Sequence, residues 1–297
     1  MSDPRNPDAI RADVSAQYTR ALNKDSGCCA PAPAASSCCA PAPTAIGKSA
    51  AAATAGYDAE ALATLPADAV ANSFGCGNPV ALAAVQPGDV VVDLGSGAGI
   101  DLLLAAQAAG PEGHVIGVDM TDAMIERARA NIAEAGATNI EVRKGVIEQL
   151  PVDDASVDLV ISNCVINLSP DKPAVFREIA RVLRPGGRFS VSDIVVSDLP
   201  AWVGAIPEAY AACISGAIPE DDYLAGLRAA GLEDVAVIDR LVYEPEQVLA
   251  IVESDMPGLM DKLAALGISE QQVEALLPSL AGKVASVRVT GRKAQST

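Results

Sequence analysis

Two sets of residues in this chain could do chemistry. The first is Asp93-Leu94-Gly95-Ser96-Gly97-Ala98-Gly99, an aspartate followed by three glycines at alternate positions. Glycine lets a backbone approach a ligand closely, and a turn from strand into helix offers the free N–H groups of the helix N-terminus. Asp119 stands twenty residues beyond Gly99, at the end of the next apolar run. A carboxylate there can accept hydrogen bonds from two ribose hydroxyls. The spacing is G-x-G-x-G, not the G-x-G-x-x-G of dinucleotide folds. Strand, glycine turn, helix, second strand and terminal acid, in that order, point to a nucleoside-bearing ligand.

The second set is sulfur. Of seven cysteines, Cys76, Cys164 and Cys213 stand alone, whereas Cys28-Cys29 and Cys38-Cys39 are adjacent pairs. The three single cysteines are 88 and 49 residues apart, a spacing that matches no short metal motif, so only a fold could bring them together. Cys76 stands beside a possible helix N-terminus, which favours thiolate over thiol. Thiolates are the ligands a soft, thiophilic atom wants. The plainer alternative for each cysteine is a small buried apolar side chain.

The elements that must position these residues follow from the apolar pattern. Strands are expected at Val90–Leu94, His114–Asp119, Ile140–Lys144, Val157–Ser162 and Arg188–Asp193, with helices at 99–109, 121–135 and 172–183 between them. Such alternation predicts a parallel sheet covered by helices on both faces. Arg184-Pro185-Gly186-Gly187 should stop the third of these helices. Upstream, 58–72 looks helical, and Asn78-Pro79 could open a short helix. Downstream, helices are expected at 200–214 and 219–230. Two further strands, Val235–Tyr243 and Ala285–Thr290, should join the same sheet, as an antiparallel pair, around a helical segment at 245–280. The fold class is thus α/β, a doubly wound, mostly parallel seven-stranded sheet.

Residues 1–56 form an arm. Residues 8–24 can be helical, and Cys-Cys-Ala-Pro-Ala-Pro then occurs twice, ten residues apart. Its Ala/Pro spacers should be extended or disordered. Paired thiols on such an arm could capture a thiophilic ion, reduce a disulfide, or belong to an idle low-complexity tail.

Composition narrows the partners. Half the chain is hydrophobic but only 3% is aromatic, so the core must be aliphatic. The formal net charge of −17 repels phosphate backbones and anionic membrane surfaces, which argues against nucleic acid and membrane partners. No apolar run is long enough to span a bilayer and the first residues do not read as a secretory signal, so a cytoplasmic setting with reduced thiols is expected. The one histidine, His114, begins the second strand, opposite the glycine turn, and reads as a surface or strand-end residue.

The glycine turn with its leading aspartate resembles that of class I methyltransferases, in which this loop meets the methionine part of S-adenosylmethionine. Gly117-Val118-Asp119-Met120 is similar to the ribose-binding strand end, and Gly145-Val146-Ile147-Glu148 to the loop that packs on adenine. Leu183-Arg184-Pro185-Gly186-Gly187 resembles the turn before the fifth strand. Ser73-Phe74-Gly75-Cys76-Gly77-Asn78-Pro79, Ser162-Asn163-Cys164-Val165-Ile166-Asn167-Leu168 and Ala212-Cys213-Ile214-Ser215-Gly216-Ala217 closely resemble the arsenite methyltransferase family. This resemblance covers residues 57–243.

The resemblance implies a Rossmann-like methyltransferase domain over 57–243, with 244–297 packing on it. It implies that Cys76, Cys164 and Cys213 hold As(III), with Cys28, Cys29, Cys38 and Cys39 as further candidates. Cofactor contacts would come from Asp93, Gly95, Ser96, Gly97, Gly99, Asp119, Met120, Ile147, Glu148 and Asn163. The implied cofactor is S-adenosylmethionine, the substrate arsenite or its thiol conjugates, and the reductant a thiol of thioredoxin or glutathione type. The rival readings are a methyltransferase of a small quinone-type acceptor and an arsenic-binding protein without turnover.

Overall fold

A computed structural model describes residues 6–23, 57–73, 75, 78–198, 216–248, 261, 263–264, 267 and 269–295. Seven strands form one sheet: β1 (Val90–Leu94), β2 (His114–Asp119), β3 (Ile140–Lys144), β4 (Val157–Asn163), β5 (Leu183–Val196), β6 (Leu232–Val242) and β7 (Val284–Lys293). Their spatial order is β3-β2-β1-β4-β5-β7-β6. The pairs among β1 to β5 are parallel, and β7 runs antiparallel to both β5 and β6. The fold is therefore the doubly wound, mostly parallel sheet of the class I methyltransferases, with the last two strands joined antiparallel as expected.

The described helices are α1 (Pro7–Asn23), α2 (Ala59–Ala63), α3 (Ala67–Ala71), α4 (Pro79–Ala83), α5 (Ile100–Ala109), α6 (Asp122–Glu134), α7 (Lys172–Val182), α8 (Glu220–Ala229) and α9 (Glu270–Leu276). Alternation along β1 explains how the sheet is covered twice. Val91 packs with Leu102, Ile125 and Leu159 on one face. Its neighbours Val92 and Leu94 pack with Phe176, Ile179 and Leu227 on the other. Both faces are thus apolar, as a buried parallel sheet requires. α7 shows how a single helix is fixed. Asp171 caps it by accepting from the Ala174 N–H at 2.9 Å, and Val175, Phe176, Ile179 and Val182 form its buried stripe.

The sheet brings distant residues to one edge. Sheet order reverses between β1 and β4, the kind of place where open α/β sheets bind ligands outside their carboxyl ends. Leu94 pairs with Val118 on one side and Ser162 on the other. The glycine loop, Asp119 and Asn163-Cys164 consequently leave the sheet side by side.

Three expectations need correction. The stretch 58–72 is two short helices, because Pro66 interrupts it and stands as the N-cap of α3. Arg184 to Gly187 does not simply precede the fifth strand. Leu183 already pairs with Val157, and the register shifts before Arg188 pairs with Leu159, so the intervening residues bulge out of an extended β5. Finally, α1 lies within the stretch read as an arm yet packs on the domain, with Ile10, Val14 and Leu22 buried. The paired cysteines, the helix expected at 200–214 and much of 245–280 lie outside the described residues. Among the described residues, no helix is long and apolar enough to cross a membrane. His114 stands at the start of β2, at the opposite edge, 3.6 Å from Glu141.

Candidate active site at the carboxyl edge of the sheet

A cleft of about 900 Å³, including its open mouth, lies over the carboxyl ends of β1, β2 and β4. The glycine loop forms its floor. Gly95, Gly97 and Gly99 all have positive φ, at 67°, 52° and 94°. Gly95 is the most constrained, since a β-carbon there would fall on the side chain of Val165, the neighbour of Cys164. At Gly97 an added β-carbon would meet nothing within 4 Å.

Four N–H groups of the loop bond within the protein rather than toward a ligand. Gly95 and Ser96 both donate to the Val118 carbonyl, at 2.8 and 3.1 Å, and Gly99 donates to the Ser96 carbonyl at 2.9 Å. Gly97 donates to Asp119 Oδ2 at 3.0 Å, while Thr121 N–H donates to the other oxygen at 2.8 Å. The Met120 N–H and the Thr121 side chain add to the bonds that favour the charged form of Asp119. The loop region also supplies carboxyl groups.

Three carboxyls converge beneath and beside the loop: Asp93, Asp101 and Asp119. Burial pushes Asp119 above the usual carboxylate range, against the pull of the Thr121 and Gly97 N–H groups. Asp93 is raised well above its ordinary value by burial and then by Asp101 and Asp119. It lies buried at the end of β1 and is not among the residues lining the cleft. Burial pushes Asp101 up to about 6, although Asn163 and Tyr57 hydrogen bonds favour its charged form. Tyr57 Oη donates to both Asp101 oxygens, at 2.9 and 3.0 Å, and Asn163 Nδ2 donates to Asp101 at 3.2 Å. A site with several buried carboxyls suits a cation and disfavours phosphate.

The remaining expected residues fall around this floor. Ser96, Met120, Ile147, Glu148, Asn163 and Cys164 all line the cleft. Gly99 does not; it caps α5 and lies close to Ala128 of α6. Glu148 Oε1 accepts from Ser169 Oγ at 2.7 Å. Cys164 is only 5% exposed, and its φ of 58° puts it in the left-handed region that non-glycine residues rarely occupy. Its N–H donates to the Ser192 carbonyl at 2.8 Å, which holds this conformation against β5. The sequence predicts a free thiol here, but Cys164 is disulfide-bonded. Every other cysteine of the chain, Cys76 and Cys213 included, lies outside the described residues. Among the described residues no three histidine, cysteine, aspartate or glutamate side chains are placed to hold one metal ion together.

Sequence reasoning missed Asp101, Tyr57 and the whole contribution of α1, whose Arg11, Val14 and Tyr18 line the cleft. Asp101 carried a legible signal: it is the one charged residue in Ile100–Ala109, a helix otherwise almost entirely apolar. Such a helix is buried all round, so its acid must be buried too.

Residues 86–253 match the family model described as a methyltransferase domain. Over 172 residues the chain is 53% identical to an arsenite methyltransferase of Halobacterium salinarum, covering 58% of this chain and 44% of that protein. It is 37% identical to the arsenite methyltransferase of Aquipseudomonas alcaligenes over 65% of this chain and 55% of that protein. The chain thus spans about half the length of the curated relatives it matches. Among solved structures it is similar to an arsenic(III) S-adenosylmethionine methyltransferase from Chlamydomonas reinhardtii, at 33% identity and a TM-score of 0.63. That match covers 79% of this chain and 73% of that one. On the methyltransferase-domain match and the extent of this similarity, the chain belongs to the arsenite methyltransferase family.

Proposed function

We propose that this protein transfers methyl groups from S-adenosylmethionine to thiolate-bound trivalent arsenic, as its relatives' names imply for them. The observation that carries the reading is Cys164, a buried sulfur on the wall of the same cleft as the glycine loop and Asp119.

The residues present fit the cofactor. Asp119, at the end of β2 on the cleft wall, would take the two ribose hydroxyls. Met120, Ile147 and Leu168 offer apolar surface to a purine ring, with Glu148 at its edge. Asp101 places a carboxyl at the cleft where a cationic ligand would lie against the loop. When bound, S-adenosylmethionine supplies a methyl carbon on a positively charged sulfur.

The acceptor needs no general base, because As(III) brings a lone pair and no proton that must leave first. That lone pair would take the methyl group as the cofactor leaves as a neutral thioether, and the thiolates around arsenic would offset the positive charge arsenic takes on. The protein's part is to hold arsenic in line with that carbon, and effective molarities from such positioning can reach about 10⁵ M or more. Cys164, with Cys76 and Cys213 brought in on the family resemblance, would provide the thiolate ligands. Cys164 can serve only after its disulfide is reduced, so a thiol reductant of thioredoxin or glutathione type belongs to the proposal. The paired cysteines Cys28, Cys29, Cys38 and Cys39 would capture arsenite or relay reducing equivalents. Arsenite or its thiol conjugate is the substrate.

The test is to incubate purified protein with S-adenosylmethionine, arsenite and a thiol reductant, and to measure methylated arsenic by mass spectrometry. Methylarsenicals that appear only with all three components support the reading. Tight arsenite binding without product would replace it with sequestration, and turnover of a quinone precursor with none of arsenite would replace the acceptor.

A further inference from the structure

α1 does more than extend the fold. It lies across the carboxyl edge of the sheet and touches both ends of the cleft. Ile10 and Val14, 2% and 3% exposed, join an apolar cluster that contains Cys164, Leu168, Ile194 and Val284, and Tyr18 packs against that cluster. At the other end Arg11 reaches Glu148, with its Nη2 3.3 Å from Oε1. Glu148 belongs to the loop that would flank the adenine, and its Oε1 is the atom that Ser169 Oγ also holds. The Arg11 and Glu148 side chains are 25% and 10% exposed, so water screens this pair less than an ordinary surface bridge. Arg11 Nη1 meets Asp8 of its own helix at 2.9 Å, which steadies the guanidinium from the solvent side. Its Nε is buried with no hydrogen-bond partner among the described residues, which leaves a donor at the wall of the cleft.

We propose that α1 is a strap closing the cleft over the bound cofactor, and that Arg11 is its latch, a positioning residue that acts through Glu148 on cofactor residence. Val14 and Tyr18 form part of the cleft wall, so a ligand seated there meets α1 directly. Only Arg11 supplies an ion pair from this helix to the adenine-side loop among the described residues. A ligand under α1 leaves when the helix lifts, and the pair is one of the contacts that lifting breaks. The inference rests on the cofactor assignment and adds to it an exit step set by one arginine.

The measurement is the dissociation rate of S-adenosylhomocysteine from the full chain, by stopped-flow competition, at low and high salt. Arg11→Met keeps the aliphatic stem and removes the charge. It is expected to speed dissociation by about 5-fold at low salt, the factor that about 1 kcal/mol gives. The wild-type rate should rise with salt toward the mutant's, while the mutant's stays flat. Hydrogen exchange of residues 7–23 in the ligand-bound protein should also quicken in Arg11→Met. The doubly exchanged Arg11→Glu, Glu148→Arg protein should recover part of the slow rate lost in either single charge reversal. Unchanged dissociation and salt response in a folded Arg11→Met protein would overturn the latch while leaving the cofactor site standing. Failure of the wild type to bind S-adenosylhomocysteine at all would remove the cofactor assignment and the latch with it.

Discussion

The nucleoside side of the cleft and its sulfur side are built on different principles. The nucleoside side is local: β1, its glycine turn, β2 and Asp119 follow within thirty residues, and backbone hydrogen bonds from Gly97 and Thr121 set the carboxylate. The sulfur side is assembled from afar. Cys164 sits on a left-handed residue held by β5, packed against a helix from the start of the chain and a strand from its end. A local site can be built by one supersecondary unit, whereas the other exists only when the whole sheet has closed.

Substitutions should separate the two halves. The largest effect is expected for Cys164→Ser, which keeps size and removes a thiolate. Methylated arsenic should fall by about 10³-fold or more, because the loss is one of positioning. Cofactor affinity, read by calorimetry, should stay within about 2-fold. A mutant that retains methylation would show that arsenic is held elsewhere.

Asp119→Ala breaks the opposite half. It removes the charged acceptor for two ribose hydroxyls, worth about 3 kcal/mol together, or roughly 100-fold in Kd. Arsenite binding by the reduced protein should change little. A Kd near wild type would detach Asp119 from the ribose.

Gly95→Ala sits on the seam. Its φ of 67° and the Val165 side chain in the way of a β-carbon mean that alanine must strain the loop and push on the residue beside Cys164. A loss of about 2 kcal/mol in unfolding free energy is expected from the two costs together, with cofactor and arsenite binding both weakened. If only cofactor binding changed, the halves would be less tightly joined than the packing implies.

How much of this could be read from the chain follows the same division. The edges of β2 and β3 are legible to the residue, because short β-branched runs end at Gly113, Asp119 and Gly145. Asp119 and the glycine loop were placed by that local grammar. That the Gly95, Ser96, Gly97 and Gly99 amides are bonded internally was not legible, since a glycine turn reads alike whether its N–H groups face a ligand or a carbonyl. Cys164 at the strand end was placed by topology, but no spacing in the chain says what its sulfur meets. α1 escaped notice as a wall of the cleft because its polar and apolar residues are mixed. Its burial depends on clusters formed from Ile194 and Val284, far away in sequence.

The smallest effect is the one with two signs. Asp101 has a folded pKa of about 6, raised chiefly by burial, against about 3.9 for an unfolded aspartate. The ligand-free folded state therefore holds its proton more tightly than the unfolded chain. Its contribution to stability is fully present below about pH 4 and is lost as pH rises through 6. A cationic cofactor favours the ionised carboxyl, so its affinity should move the other way. It should fall by about 10-fold from pH 7.5 to pH 5, where roughly one carboxyl in ten would be ionised. Asp101→Asn should flatten both profiles across this window and lower affinity at pH 7.5. Calorimetric titrations of S-adenosylhomocysteine and thermal melts of the ligand-free protein, each from pH 5 to 7.5, would read the two slopes. Profiles of the same sign would mean that Asp101 does not face the cofactor's charge and only holds Tyr57 and Asn163 in place.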